Sequence, residues 1–292
     1  MQGGDKGRMT LRRMPFAYGE RPSLDWNEGS PEFSQVVNAA SLAMPYLEPY
    51  LIATLRKARP AISDPVLAAE LDLYCGQEAA HYRQHRLFND TLKEPGGETI
   101  EAIETTLAAD YARLGEKKSL KFNLAYAEGF ESMALAIGHL LVEDREYFFA
   151  GSDSAVASLV LWHFVEEIEH KCVAFDVFEH LAGGYFWRIW GLLYATGHIF
   201  WRTRGGYQAL LKRQGLWRNW DSRVKLAGLL AHIFARLIPK MLRILHPRYH
   251  PMKVADPDWA LAWARLHAAD SVGSSRLDTG RLGTATPIPC PA

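Results

Sequence analysis

Two Glu-x-x-His tetrads constrain this 292-residue chain more than any other feature in it. The first is Glu78–His81 in "QEAAHYRQH"; the second is Glu167–His170 in "WHFVEEIEHKCVAFDVFEHL". Residues three apart share one side of a helix, so each tetrad presents a carboxylate beside an imidazole. The surrounding apolar residues keep helical steps, as in Val165, Ile168, Cys172 and Phe175. Each tetrad also follows a glutamate in mid-helix: Glu48 lies thirty residues before Glu78, and Glu131 thirty-six before Glu167. Such spacing fits an antiparallel hairpin with both carboxylates at one height. The same hairpin occurs twice.

Four inward glutamates and two histidines on four helices are the ligand pattern of dinuclear carboxylate centres in ferritin-like bundles. Burying four carboxylates together costs several kcal/mol per charge unless cations offset them. The expected ligands are therefore Glu48, Glu78, His81, Glu131, Glu167 and His170, around two divalent ions. Iron is favoured by the oxygen-rich set, with manganese or zinc as the alternatives. A solvated charged face explains one tetrad by itself but not both hairpins. Glu128 competes with Glu131 one turn away. His85 and His163 are each a third histidine, a donor orienting a carboxylate, or a hydrogen-bonded core histidine. Glu166 and Asp176 are further candidates beside the ligands, and Asp176 could equally pair with an arginine.

The expected fold is all-α: a ferritin-like four-helix bundle with one long crossover and additional C-terminal amphipathic helices. Residues 1–30 read as a loose arm, 31–182 as the metal-binding bundle, 183–270 as a basic aromatic helical extension packed on it, and 271–292 as a disordered tail. A first helix is expected over 31–57, with Pro45 and Pro49 kinking it or breaking it near Glu48. Asp64-Pro65 is a helix start, an N-cap followed by proline. A connection over 95–118 holds a short helix, and the fourth bundle helix is expected to run to Leu181. No strand pattern competes.

"WHFVEEIEHKCVAFDV" and "QEAAHYRQHRLFN" together resemble a bacterial family of predicted metal-dependent hydrolases, from about Met14 to the "YHPMK" region. The resemblance implies a metal enzyme. It departs at "EGFESMA", where Ser132 stands in place of an expected histidine. The ligand types lean instead toward oxygen activation by an oxidase or oxygenase on an apolar or acyl-type small molecule. The alternative is a hydrolase in which the metal supplies hydroxide. A non-catalytic iron-binding protein is the third reading.

The zero net charge hides an asymmetry. Residues 183–253 carry thirteen Lys or Arg and one acid, Asp221. These helices are expected to pack on an acidic bundle, to lie on an anionic membrane surface, or to meet an acidic carrier or phosphate-bearing substrate. Arginines alternating with aliphatic residues, without a recognition motif, argue against nucleic acid. Three scattered cysteines and an N-terminus without an apolar run point to a cytoplasmic protein, at most peripheral at the inner face of the membrane. Oligomerisation is left open.

Overall fold

The computed structural model describes residues 9–18 and 24–291, and it is all-α. The chain runs through α1 (Pro31–Ser41), α2 (Met44–Ala58), α3 (Pro65–Gly96), α4 (Glu98–Lys117), α5 (Leu120–Glu143), α6 (Arg145–Phe149), α7 (Ser154–Glu169), α8 (Val173–Leu181), α9 (Tyr185–Arg213), α10 (Trp220–Ile244) and α11 (Asp258–Ala269). Among the described residues no helix is long and apolar enough to cross a membrane.

The two hairpins form by local rules. Asp64 caps α3 by accepting from the Val66 amide, with Pro65 in the first turn. Ser119 caps α5, and Asp153 caps α7 by accepting from both Ala155 and Val156. α2 packs against α3, and α5 against α7. Between the hairpins, Gly97 takes a positive φ of 51° that reverses the chain. α4 then returns alongside α3 and α2, and Lys93 reaches back to Glu104 at 3.5 Å. The expected short helix of the crossover is in fact twenty residues long, because Leu107, Tyr111 and Leu114 form a continuous apolar stripe that is buried.

The single first helix divides at Leu42–Ala43, upstream of Pro45, so Glu48 sits inside α2 rather than at its break. Pro49 within α2 cannot donate to the Pro45 carbonyl, which Arg86 of α3 reaches at 3.4 Å instead. The expected fourth bundle helix stops at Glu169, and α8 begins only at Val173. No Gly or Pro lies at this break. Lys171 is drawn there to the Val254 carbonyl and to Asp256.

α9 lies along α5 with their backbones in close contact. A Cβ on Gly191 would fall on the Ala125 carbonyl oxygen, and one on Gly129 on the Leu192 backbone. Only glycine permits this approach, which fixes the height of the α5 turn bearing Glu131.

Two expectations about the ends are corrected. Residues 271–291 are ordered: Leu277 is buried, its amide donates to Ser158 and its carbonyl accepts from Ser154. Apolar anchors at Leu277 and Leu282 hold a segment whose composition alone suggests disorder. The described part of the arm is not loose either. Arg12 is buried against α7, and Gln77 of α3 donates to the Thr10 carbonyl. Residues 1–8 and 19–23 of that arm lie outside the described residues.

Candidate metal centre

Glu48 comes from α2, Glu78, His81 and His85 from α3, Glu131 from α5, and His163 and Glu167 from α7; His170 caps the α7 C-terminus. All are buried. Donor atoms of Glu78, Glu131, Glu167 and His170 lie within 4.8 Å of one another, as do those of Glu48, Glu78 and His81. Glu78 belongs to both groups, and Glu167 closes a third with His81 and His163. His170 Nε2 is 3.3 Å from Glu78, 3.4 Å from Glu131 and 3.3 Å from Glu167. His81 Nδ1 is 3.7 Å from Glu78 and from Glu167.

These spacings suit shared cations. Donors that each stand about 2.1 Å from one ion sit roughly 3 Å apart. More telling is the hydrogen-bond account. Both oxygens of Glu48 and of Glu78, one each of Glu131 and Glu167, His81 Nδ1 and His170 Nε2 are buried without a hydrogen bond. Folded proteins leave only a few such atoms unsatisfied per hundred residues, usually scattered. Eight at one locus fit a common partner that accepts lone pairs.

The outer nitrogens of these imidazoles are tied down. His170 Nδ1 meets the Gln77 amide oxygen at 3.1 Å and donates to it, so the ring is held with Nε2 facing the cluster. His81 Nε2 meets Glu166 at 2.9 Å, which turns Nδ1 toward the cluster in the same way. Glu166 is in turn held by Arg12 at 2.9 Å, and Arg12 makes a two-pronged pair with Glu169. Tyr74 donates to Glu131 Oε1 at 2.7 Å. Such outer partners orient ligands and tune their basicity. Replacing Glu166 with alanine should therefore weaken metal binding about 10- to 100-fold, measured by chelator competition, although Glu166 is not among the converging donors.

A second chain of hydrogen bonds decides between His85 and His163. The Asn89 amide nitrogen donates to the Ser41 carbonyl, which orients its oxygen toward the Ser41 hydroxyl. That hydroxyl spends its proton on Asn89, so His85 Nδ1 must donate to Ser41 Oγ. Burial, and then His163, hold His85 well below its ordinary value, hence neutral. Its Nε2 consequently accepts from His163 Nδ1 at 2.9 Å. His163 Nε2 is left with a lone pair 3.3 Å from Glu167 Oε1. His85 also lies near Glu48 and His163, but both of its nitrogens are already used.

Without metal, the crowded acids and imidazoles shift one another. Burial, then Glu78, Glu167 and Glu131, push the Glu48 carboxyl well up. Burial and Glu167 push Glu131 up to about 8. Burial acts the same way on Glu167, but His170 and His163 overcome it and hold that group well below the carboxylate range. His81 rises to about 9 because Glu166 and Glu78 outweigh its desolvation.

Glu128 and Asp176 are not in the cluster. Glu128 accepts from Ser132 at 2.9 Å, and burial raises it to about 8. The Ser132 position, where the resemblance suggested a histidine, therefore serves Glu128 rather than the metal centre. Asp176 pairs with His250 at 3.2 Å, because the break after Glu169 carries it off the face bearing His163 and Glu167. Arg12, Gln77, Tyr74, Ser41 and Asn89 were not legible as partners of the site, since single polar residues carry no periodic signal.

Two cavities adjoin the centre. One of about 540 Å³ lies outside His170 and is lined by Arg12, Glu169, Lys171 and Asp256, charges already paired with one another. The other, about 190 Å³, is walled mainly by apolar side chains of α1, α5, α7, α9 and α10 and includes His85 and His163. A family model described as "Predicted metal-dependent hydrolase" matches residues 10–255, well over half of the chain. The chain belongs to this family. The predicted metal-dependent hydrolase match spans every donor of the cluster and also Arg12. Comparison with curated proteins and with solved structures gives no match.

Proposed function

We propose that this member of the predicted metal-dependent hydrolase family is a dinuclear-metal enzyme that activates dioxygen to oxidise an apolar small molecule. The observation that carries this reading is the set of eight buried, unpartnered donor atoms on Glu48, Glu78, Glu131, Glu167, His81 and His170. Glu78 and Glu167 would be shared between two ions. Glu48, His81 and His163 would complete one, and Glu131 and His170 the other. When bound, an iron pair in such a set supplies redox chemistry toward dioxygen, whereas a non-redox pair supplies hydrolysis.

The chain's own residues do the rest. The apolar cavity excludes water from the His163 side and holds a substrate by burying its carbon skeleton. Ser41, His85 and His163 are among the few polar side chains lining it, and one hydrogen-bonded chain consumes their donors. No donor of that chain remains for the oxyanion of an attacked ester, so a hydrolysis would depend on the ions to stabilise it. The His85–His163 chain fixes the imidazole nearest the substrate in one tautomer. His81, and then Arg12, hold Glu166 ionised against its burial, and the pairing keeps His81 Nδ1 turned toward the cluster. Hydrolysis is the second reading, favoured by the description of the family.

Protein purified without chelators should contain two metal ions per chain by elemental analysis, with iron predominant. Loaded with ferrous iron, it should consume oxygen faster when a medium-length hydrocarbon or acyl ester is added. Zinc- or manganese-loaded protein that cleaves the ester, with no oxygen uptake in the iron form, would establish hydrolysis instead. Protein that binds no metal under any loading condition would overturn both.

A further inference from the structure

We propose that the outer face of α9 and α10 docks on an anionic lipid bilayer, lying in its interface rather than crossing it. On α9, Phe186, Trp190, Leu193 and Trp201 fall on one line of the helix and are 84, 53, 58 and 65 % exposed. On α10, Trp220, Val224, Ile238 and Leu242 form a second such line, 72, 54, 51 and 60 % exposed. Scattered apolar residues are normal on a protein surface, but two aligned rows of large ones on adjacent helices are not. The helices run antiparallel: Tyr185 at the start of α9 donates to the Leu245 carbonyl beyond the end of α10, and Phe200 packs on Phe234. Their inner faces are occupied by the core, so both rows face outward.

Charge complementarity identifies the occupant. Arg223 lies to one side of the α10 row, and Lys225 and Arg243 to the other; Arg204 ends the α9 row, and Arg218 lies in the turn between the helices. All five are exposed, while the single acid of residues 183–253 is Asp221. Cations also sit over the aromatic rings, Lys121 over Trp187 and Arg204 over Trp201. An apolar row flanked by Arg and Lys, with tryptophans along it, is the pattern of helices that lie at the headgroup boundary of anionic membranes. A second copy of this chain would bring like charges together.

The same layer connects the membrane to the site. Ile199, Phe200 and Thr203 of α9 and Ile233 and Leu237 of α10 are among the side chains lining the apolar cavity that reaches His163. A bilayer pressed on the outer face would present apolar molecules to that cavity without passage through water. This delivery role rests on the proposed function; the docking itself does not.

The test is flotation of the full-length protein with vesicles of phosphatidylcholine alone or mixed with phosphatidylglycerol, at low and high salt. Binding should be strong only with phosphatidylglycerol, should weaken with salt, and should be quenchable from tryptophan by brominated acyl chains. R223E/K225E and F186S/W190S should each lower the partition coefficient roughly tenfold or more, with helical content and bound metal unchanged. The substituted residues are exposed, so folding should survive. Absence of binding to phosphatidylglycerol vesicles at low salt would overturn the proposal. So would a wild-type dimer in solution that F186S/W190S converts to monomer, since the face would then belong to a second copy. Oxygen-consumption results do not enter either outcome.

Discussion

Glu167→Ala should purify with less than about a tenth of the metal bound by the unaltered protein, and with both ions depleted together. Glu167, like Glu78, meets both halves of the cluster: one oxygen lies 3.3 Å from His163 and the other 3.3 Å from His170. Glu48→Gln should behave differently. Glu48 joins only the group with Glu78 and His81 and the one with His85 and His163, so its loss should deplete mainly one ion. Without metal, Glu48→Gln should be more stable than the parent at neutral pH, because burial and three neighbouring glutamates oppose its charge. Elemental analysis and thermal unfolding of the stripped proteins measure the two effects. Equal metal loss in both variants, with no gain in stability for Glu48→Gln, would mean that the acids do not face one another as the structure places them.

Stripped of metal, the protein should lose several kcal/mol of stability as pH rises from the ordinary glutamate value of 4.5 through about 8. The sign follows from proton binding. Glu131 and Glu128 titrate near 8 when folded, so across this window the folded state holds protons that the unfolded chain has released. Their contribution is fully present below 4.5 and is lost as pH passes 8. His81, raised to about 9, adds a loss in the same direction at the upper end. Glu167 titrates below the window and does not oppose it. His85 and His163, held by burial below their ordinary value of 6.5, instead add stability as pH rises toward 6.5. The net fall is therefore steepest between about 6.5 and 8. Saturating metal should remove the part due to Glu131 and His81, since cations hold those donors deprotonated. Glu128 lies outside the cluster, and its share should persist. Thermal melts across this pH range, with and without metal, give both slopes. A melting temperature that stays level or climbs in the metal-free protein would contradict the charge crowding described for the cluster.

How much of this was legible beforehand differs by residue. Glu78 with His81 and Glu167 with His170 announce themselves because helical geometry makes three-residue spacing equivalent to adjacency. Glu48 and Glu131 needed only the hairpin argument. Choosing Glu131 over Glu128 rested on its mid-helix position, and the reason became visible only with α9 in place. Gly129 and Gly191 set α5 so that Glu131 turns toward Tyr74 and His170, while Glu128 turns toward Ser132. The break after Glu169 left no trace in composition, and the contacts Lys171 makes there are with residues far along the chain. The C-terminal tail was misread for a similar reason. Its anchors are two leucines in a polar stretch, and burial of two side chains does not alter average composition.

The amino-acid order by itself determined the all-α class, the duplicated hairpin and six converging donors, because each follows from the fixed period of a helix. It also determined the basic, aromatic character of residues 183–253. Only the tertiary structure decided that His163 keeps a free lone pair while His85 does not, that Arg12 closes the far side of the His81 pair, and that an apolar cavity lies between the centre and α9–α10. These depend on which groups from separate helices come within hydrogen-bond reach. Such contacts have no period along a chain, and local propensity does not encode them.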